Sequence, residues 1–123
     1  LYRKKSDFDN RIKLINNSNA DLYISIHQNI YQNKKYSGPQ VFYVKDNQKL
    51  AEIIQNTLNK YLNTKRKVKT INNTYMYKLL KKKGILIECG FISNDNERYK
   101  LKTEEYQLEL SKIITEGIIT YYS

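Results

Sequence analysis

The stretch Gly84-Ile85-Leu86-Ile87-Glu88-Cys89-Gly90-Phe91 decides the fold. Its consecutive aliphatic residues predict a strand that is buried on both faces, as in the parallel sheets of α/β proteins. The run then reaches a carboxylate, Glu88, shortly before a glycine. An unpaired ionised carboxylate at the end of a buried strand costs several kcal/mol or shifts its pKa. Glu88 is therefore expected to have a cation, a metal ion or a proton-transfer task nearby.

The only histidine, His27, occupies a similar position at the end of a second strand-like run, residues 22–29. Ligands of parallel α/β sheets bind outside the carboxyl ends of the strands, so His27 and Glu88 are predicted to meet in one crevice. A histidine at a strand end is by itself more often structural than catalytic. A histidine with a glutamate is typical of a catalytic zinc site, but without a second histidine the pair is an incomplete site.

The rest of the chain divides into segments of helical and strand periodicity. Helices are predicted from an N-cap at Ser6 to about Asn16, from a cap at Asp46 or Asn47 to Leu62, and after Thr103. Strands are predicted at 40–44 and 74–79, and loops at 30–39 and 63–73. The patterns alternate without a repeat or a Gly/Pro-rich linker. The sequence therefore predicts a single domain of the α/β layer type.

Composition narrows the class of partner. The chain has 123 residues, 22 basic against 12 acidic, and a formal charge of +10, which favours anionic partners such as nucleic acid, anionic lipid or wall polymers. The lysine runs at 65–69 and 78–83 lack a Gly-rich phosphate loop and interleaved aromatic residues, so a solvated basic face is favoured over a nucleic-acid site.

The single cysteine excludes an internal disulfide framework. Cys89 is interpreted as a small buried thiol at a strand end rather than as a nucleophile. No segment approaches the ~18 apolar residues of a membrane span, and no signal peptide is visible. The chain starts with Leu1, so the missing targeting signal carries no information.

Two motifs resemble those of a known family. Residues 20–29 (ADLYISIHQN) and 86–94 (LIECGFISN) look like the two carboxy-terminal motifs of the zinc-dependent N-acetylmuramoyl-L-alanine amidases of bacterial cell walls. Segments 37–43, 64–68 and 101–107 look most like the germination-specific, spore-cortex members. The resemblance implies a zinc amidase or exopeptidase-like α/β fold: a mixed, mostly parallel sheet flanked by helices.

Family members also carry an earlier histidine, in a Gly-rich motif, and a later glutamate, both of which bind zinc. Neither motif is present, so the resemblance implies that residues 1–123 are the carboxy-terminal two-thirds of an N-terminally truncated catalytic domain. Truncation of this kind is expected to leave an unpaired strand edge and exposed core. By resemblance, His27 is a zinc ligand and Glu88 the catalytic acid/base, and Asn29 ranks lower as a residue that shapes the pocket.

The implied activity is hydrolysis of the amide bond between N-acetylmuramic acid and the L-alanine of the stem peptide in spore cortex or cell wall. The implied cofactor is Zn²⁺, and the implied partner is peptidoglycan. The implied location is outside the cytoplasm, as a secreted protein of the cell envelope or spore cortex of a bacterium. An activating protein is left open as a further partner. An alternative is a catalytically inert wall- or partner-binding module that lacks the first two zinc ligands. A nucleic-acid-binding function predicts salt-sensitive DNA affinity without zinc, and it does not explain why His27 and Glu88 both end strands.

Overall fold

The computed structural model describes residues 2–71 and 75–123. In chain order the elements are α1 (Tyr2–Asn16), β1 (Tyr23–Asn29), β2 (Gln40–Tyr43), α2 (Gln48–Leu62), β3 (Lys69–Thr70), α3 (Tyr75–Leu79), β4 (Gly84–Phe91), α4 (Asp95–Leu101) and α5 (Glu104–Tyr122). The strands form one sheet in the order β1-β4-β2-β3. The alternation of strands and helices predicted from the sequence is confirmed.

The sheet is mixed and mostly parallel, as expected. The central strand β4 runs parallel to β1 and antiparallel to β2, and β2 runs parallel to β3. Both faces of β4 are covered, since Ile85 and Ile87 are buried towards one side and Leu86 towards the other. The interpretation of the aliphatic run as a strand buried on both faces is therefore confirmed.

Two hydrophobic cores lie on opposite faces of the sheet. The larger core joins β4 to α2 and α5, and its buried members include Leu50, Ile54, Leu58, Ile85, Ile87, Leu110 and Ile113. The helices α2 and α5 approach closely at Gly117, where an added Cβ would lie 3.0 Å from Ile54 Cγ1. The smaller core places α1 and α3 against Leu86, with Ile12, Tyr23, Met76, Tyr77 and Leu80 buried. Helices therefore flank the sheet on both sides.

One predicted helix start and one predicted strand are wrong. The first helix does not begin at Ser6, because α1 extends back to Tyr2 and the side-chain pair Lys5–Asp9 spans the predicted cap, with the pair Asp7–Arg11 directly after it. Pairs four positions apart stabilise a continuous helix there. The predicted strand at 74–79 is the helix α3 from Tyr75 onwards, and Thr74 lies outside the described residues. There, packing against the sheet outweighs the local preference of tyrosine for strands.

Local patterning also missed contacts made by tertiary packing. Gln55 lies outside the apolar stripe of α2, yet it is 2% exposed: its side-chain oxygen accepts from Val41 N at 2.8 Å and its amide donates to Pro39 O at 3.1 Å. It satisfies backbone groups at the start of β2 that would otherwise be buried unpaired. The segment Lys69–Thr70, predicted as loop, pairs with β2 as the short strand β3.

Among the described strands, β1 lies at the edge of the sheet and pairs with β4. Ile26 on this strand is 59% exposed. A cavity of about 480 Å³ lies beside it, lined in part by His27, Cys89, Leu110 and Ile114. An open strand edge and accessible apolar side chains are therefore found next to His27.

In the described part of the chain, the helices are too short or too polar to cross a membrane.

Candidate active site

The structure brings His27 and Glu88 together. They are direct register partners in the parallel pair of β1 and β4. Neighbouring strands lie about 4.8 Å apart, and register partners project to the same face of a sheet. Two residues far apart in the sequence therefore become neighbours at the carboxyl ends of two parallel strands, as predicted.

A third polar residue completes the row across the sheet. Gln40, the first residue of the antiparallel strand β2, is the register partner of Glu88 on its other side. Gln40 is 5% exposed, and its side-chain amide donates to Lys67 O at 2.7 Å. The row His27, Glu88 and Gln40 thus runs across three strands at one level. Gln40 was not predicted as a site residue, because the pattern of β2 does not reveal which strand it pairs with.

The electrostatic surroundings of Glu88 differ from those of an ordinary surface carboxylate. Its Oε2 atom is buried and has no hydrogen-bond partner among the described residues. Burial raises the pKa of the Glu88 carboxyl, and the nearby His27 partly opposes the shift. Removal from water disfavours the charged form, so this group takes up a proton more readily than a solvated glutamate does. That property suits a residue that exchanges protons with a substrate.

Tyr77 of α3 lies below this site on the same face of the sheet. Its hydroxyl is buried, with Ser25 as a polar neighbour. Burial raises the pKa of Tyr77, and the charge of Glu88 adds to the shift. The floor of the site is therefore a poorly solvated aromatic surface, which strengthens the electrostatic interactions of groups above it.

His27 and Glu88 fit one side of a metal centre. His27 is exposed, and neutral imidazole is a common ligand for zinc, while the unpartnered oxygen of Glu88 lies on the adjacent strand. The described residues contain no group of three or more His, Cys, Asp or Glu side chains arranged to hold a metal ion. A complete zinc site therefore requires further ligands from beyond the described residues.

Two neighbours have limited roles. Cys89 is 7% exposed, and burial raises the pKa of its thiol to about 11. A thiol of this kind is protonated at neutral pH. The burial predicted for Cys89 is confirmed, and its interpretation as a structural residue stays a prediction. The Oδ1 atom of Asn29 accepts from Ile30 N at 2.8 Å, and its backbone oxygen accepts from Ile92 N at 2.8 Å. Asn29 fixes the chain where β1 ends; a role in shaping the pocket stays a prediction.

Glu97 was not identified from the sequence, yet it anchors the loops around the site. This carboxylate is 6% exposed, and it accepts from Phe91 N at 2.8 Å and from Gly38 N at 2.9 Å. It thereby ties the end of β4 to the loop before β2. Gly90 makes room for it, since an added Cβ would lie 3.0 Å from Glu97 Oε1. A glycine within a strand was the one sequence signal of this close approach.

Comparison with known proteins adds the family context. The family model described as N-acetylmuramoyl-L-alanine amidase (Amidase_3) matches residues 1–120. The chain is 43% identical over 125 residues to the germination-specific N-acetylmuramoyl-L-alanine amidase of Bacillus subtilis, covering 98% of this chain and 53% of that protein. It is 32% identical over 118 residues to the amidase LytC of the same organism, covering 91% of this chain and 24% of that protein.

Solved structures agree with this match. The CwlD amidase of Clostridioides difficile, solved in complex with the GerS lipoprotein, superposes with a TM-score of 0.90 at 36% identity, covering 99% of this chain and 66% of that one. An N-acetylmuramoyl-L-alanine amidase of Clostridium difficile 630 gives a TM-score of 0.84 at 31% identity, covering 94% of this chain and 64% of that one. The chain thus has their fold over nearly its whole length and spans about two-thirds of each.

Proposed function

The chain belongs to the N-acetylmuramoyl-L-alanine amidase family, and on that premise we propose that the protein is a zinc-dependent peptidoglycan hydrolase. Its reaction is hydrolysis of the amide bond that joins the lactyl group of N-acetylmuramic acid to L-alanine of the stem peptide. The observation that carries the proposal is the register pairing of His27 with Glu88, whose buried oxygen has no partner in the described chain. An arrangement with this cost is retained where it has a chemical task.

In this proposal His27 is one of the protein ligands that hold zinc, with the others supplied from beyond residues 2–71 and 75–123. Zinc, when bound, polarises the amide carbonyl and makes water more acidic. Glu88 takes a proton from the attacking water as the water oxygen bonds to the carbonyl carbon. It then gives that proton to the nitrogen as the carbon–nitrogen bond breaks. The products are a lactyl carboxylate on the glycan and the free amine of the stem peptide.

The charge of the chain is consistent with such a substrate. A formal charge of +10 attracts the carboxylates of stem peptides and anionic wall polymers. The relatives named above are amidases, one of them germination-specific, so we place the protein in the bacterial cell envelope or the spore cortex. Since the CwlD amidase was solved in complex with a lipoprotein, a protein partner that assists the site is part of the proposal.

The proposal is tested with the complete protein that contains this chain. Three variants are compared with the wild type: Glu88→Gln, His27→Ala and the control Glu105→Gln, whose side chain is exposed on α5. Purified peptidoglycan is the substrate, and new L-alanine amino groups are counted with an amine-reactive label while stem peptides are identified by mass spectrometry. Zinc per chain is measured by elemental analysis.

Glu88→Gln is expected to abolish turnover and keep zinc, because the amide cannot carry the proton. His27→Ala is expected to lose both zinc and activity, and Glu105→Gln to behave like the wild type. Turnover that persists in Glu88→Gln rejects the assignment of the acid/base. A wild-type protein that binds wall without releasing peptides supports the inert binding module instead.

A further inference from the structure

A compact group of aromatic rings lies beyond the ends of β1 and β4. Tyr31 and Tyr36 stack with ring centroids 4.6 Å apart and an interplanar angle of 22°. Tyr36 also meets Phe91 edge-on at 6.1 Å. Phe91 is buried, whereas Tyr31 and Tyr36 are 52% and 42% exposed. We call Tyr31, Tyr36 and Phe91 the aromatic platform: two accessible rings supported by a buried one.

The platform is held in place by a cation and by hydrogen bonds. The guanidinium carbon of Arg66 lies 4.7 Å from the ring centroid of Phe91 and 5.7 Å from that of Tyr36. Its Nε donates to Ser37 O at 2.7 Å. On the other side, the backbone N of Tyr31 donates to Ser93 Oγ at 3.0 Å. Rings that are fixed before binding lose little conformational entropy when a ligand stacks on them.

The topology places the platform at the same end of the sheet as the candidate active site, where β1 and β4 have their carboxyl ends. The loop 30–39 leaves β1 just after His27 and enters β2 at Gln40, opposite Glu88. Because β1 is parallel and β2 antiparallel to β4, the loop begins and ends at this same end of the sheet. Phe91 lies on β4 beyond Glu88, so the buried ring of the platform belongs to the same strand as the carboxylate of the candidate active site. A polymer whose reacting bond lies at His27 and Glu88 can therefore reach the exposed rings.

We propose that the aromatic platform binds sugar rings of the glycan strand next to the residue whose amide is cleaved. This inference rests on the proposed function, which supplies the amino-sugar polymer. A pyranose ring has an apolar C–H face and polar edges, and tyrosine offers a flat apolar surface with a polar hydroxyl at its rim. Exposed aromatic side chains with nearby polar groups are typical of such small-molecule subsites.

The test uses β-1,4-linked strands of N-acetylglucosamine and N-acetylmuramic acid from which the stem peptides have been removed. These strands contain no cleavable amide, so their binding does not depend on turnover. Affinity for the complete protein is measured by isothermal titration calorimetry. The variants are Tyr31→Ala, Tyr36→Ala and Tyr36→Phe, and the control is Tyr99→Ala, whose side chain is 75% exposed on α4. Thermal unfolding checks that each variant is folded.

Each alanine variant of the platform is expected to bind about fivefold more weakly, because Tyr31 offers a stacking face and Tyr36, which stacks on it, supports that face. Tyr36→Phe keeps the ring and is expected to stay within about twofold of the wild type, as is Tyr99→Ala. Failure of the wild type to bind the strands, or equal affinity in folded Tyr31→Ala and Tyr36→Ala, overturns the inference. If strands bind through the platform but intact peptidoglycan is not hydrolysed, the proposed function fails and the sugar site stands.

Discussion

Removal of the Glu97 carboxylate is expected to destabilise the loops that frame the candidate site. In Glu97→Ala the backbone N–H groups of Gly38 and Phe91 lose their acceptor, while both residues are buried. An unsatisfied buried donor costs about 1–3 kcal/mol, so two donors cost about 2–6 kcal/mol. The substitution also removes a carboxylate that was costly to bury, which offsets part of the loss. We expect a decrease of about 3 kcal/mol in the free energy of unfolding.

Urea unfolding followed by circular dichroism measures this change, and Glu97→Gln provides the graded comparison. Glutamine keeps one acceptor oxygen, so about half of the loss is expected. The matched control is Glu105→Ala, an exposed position that is expected to change stability by at most about 0.5 kcal/mol. Hydrogen exchange should become faster at the amides of both Gly38 and Phe91 in Glu97→Ala, and at one of the two in Glu97→Gln. A Glu97→Ala protein as stable as the Glu105→Ala control would refute the reasoning.

Two further predictions concern buried positions of β4. Gly84→Ala places a Cβ against the ring of Tyr23, so it should destabilise the fold by about 2 kcal/mol in urea unfolding. Combining it with Tyr23→Ala should cost less than the sum of the single variants, and strict additivity would contradict this. Cys89, with its pKa raised from 9.0 to about 11, should react with iodoacetamide at pH 8 about 100-fold more slowly in the folded than in the unfolded chain. Equal alkylation rates in the folded and unfolded chains would contradict this prediction. Because the pKa of the thiol is higher in the folded state, the stabilisation linked to it is fully present below pH 9.0 and is lost as the pH rises towards 11.

The central strand and the long helices were predictable because their burial is written in the local pattern. The aliphatic run of β4 has no polar alternation, and only a strand covered on both faces tolerates that. The stripe of Leu50, Ile54 and Leu58 recurs at helical spacing, and all three side chains are fully buried. In these segments the tertiary environment agrees with the local preference, so periodicity alone was sufficient.

The segments that were predicted wrongly are those whose environment is set by distant parts of the chain. The pattern around Tyr75 and Tyr77 fits a strand, but Met76 and Tyr77 pack with Ile12 and Leu86 on the covered face as a short helix. The buried role of Gln55 depends on the unpaired backbone at the start of β2. No property of residues within the helix reveals that need. Polar residues that satisfy remote backbone groups are therefore missed by a periodicity argument.

The candidate site was only partly predictable for a related reason. His27 and Glu88 were expected at one end of the sheet, because each of these polar residues lies where an apolar strand ends. Parallel pairing of β1 and β4 brings the two into register. The direction of β2 was not available from its short apolar pattern, which fits parallel and antiparallel pairing equally. Antiparallel pairing opposes Gln40 to Glu88 and keeps the loop 30–39 at the end of the sheet that holds the candidate active site. The direction of one short strand thus decides whether the tyrosines of that loop lie near the candidate active site, and it joins the proposed acid/base Glu88 to the proposed sugar site.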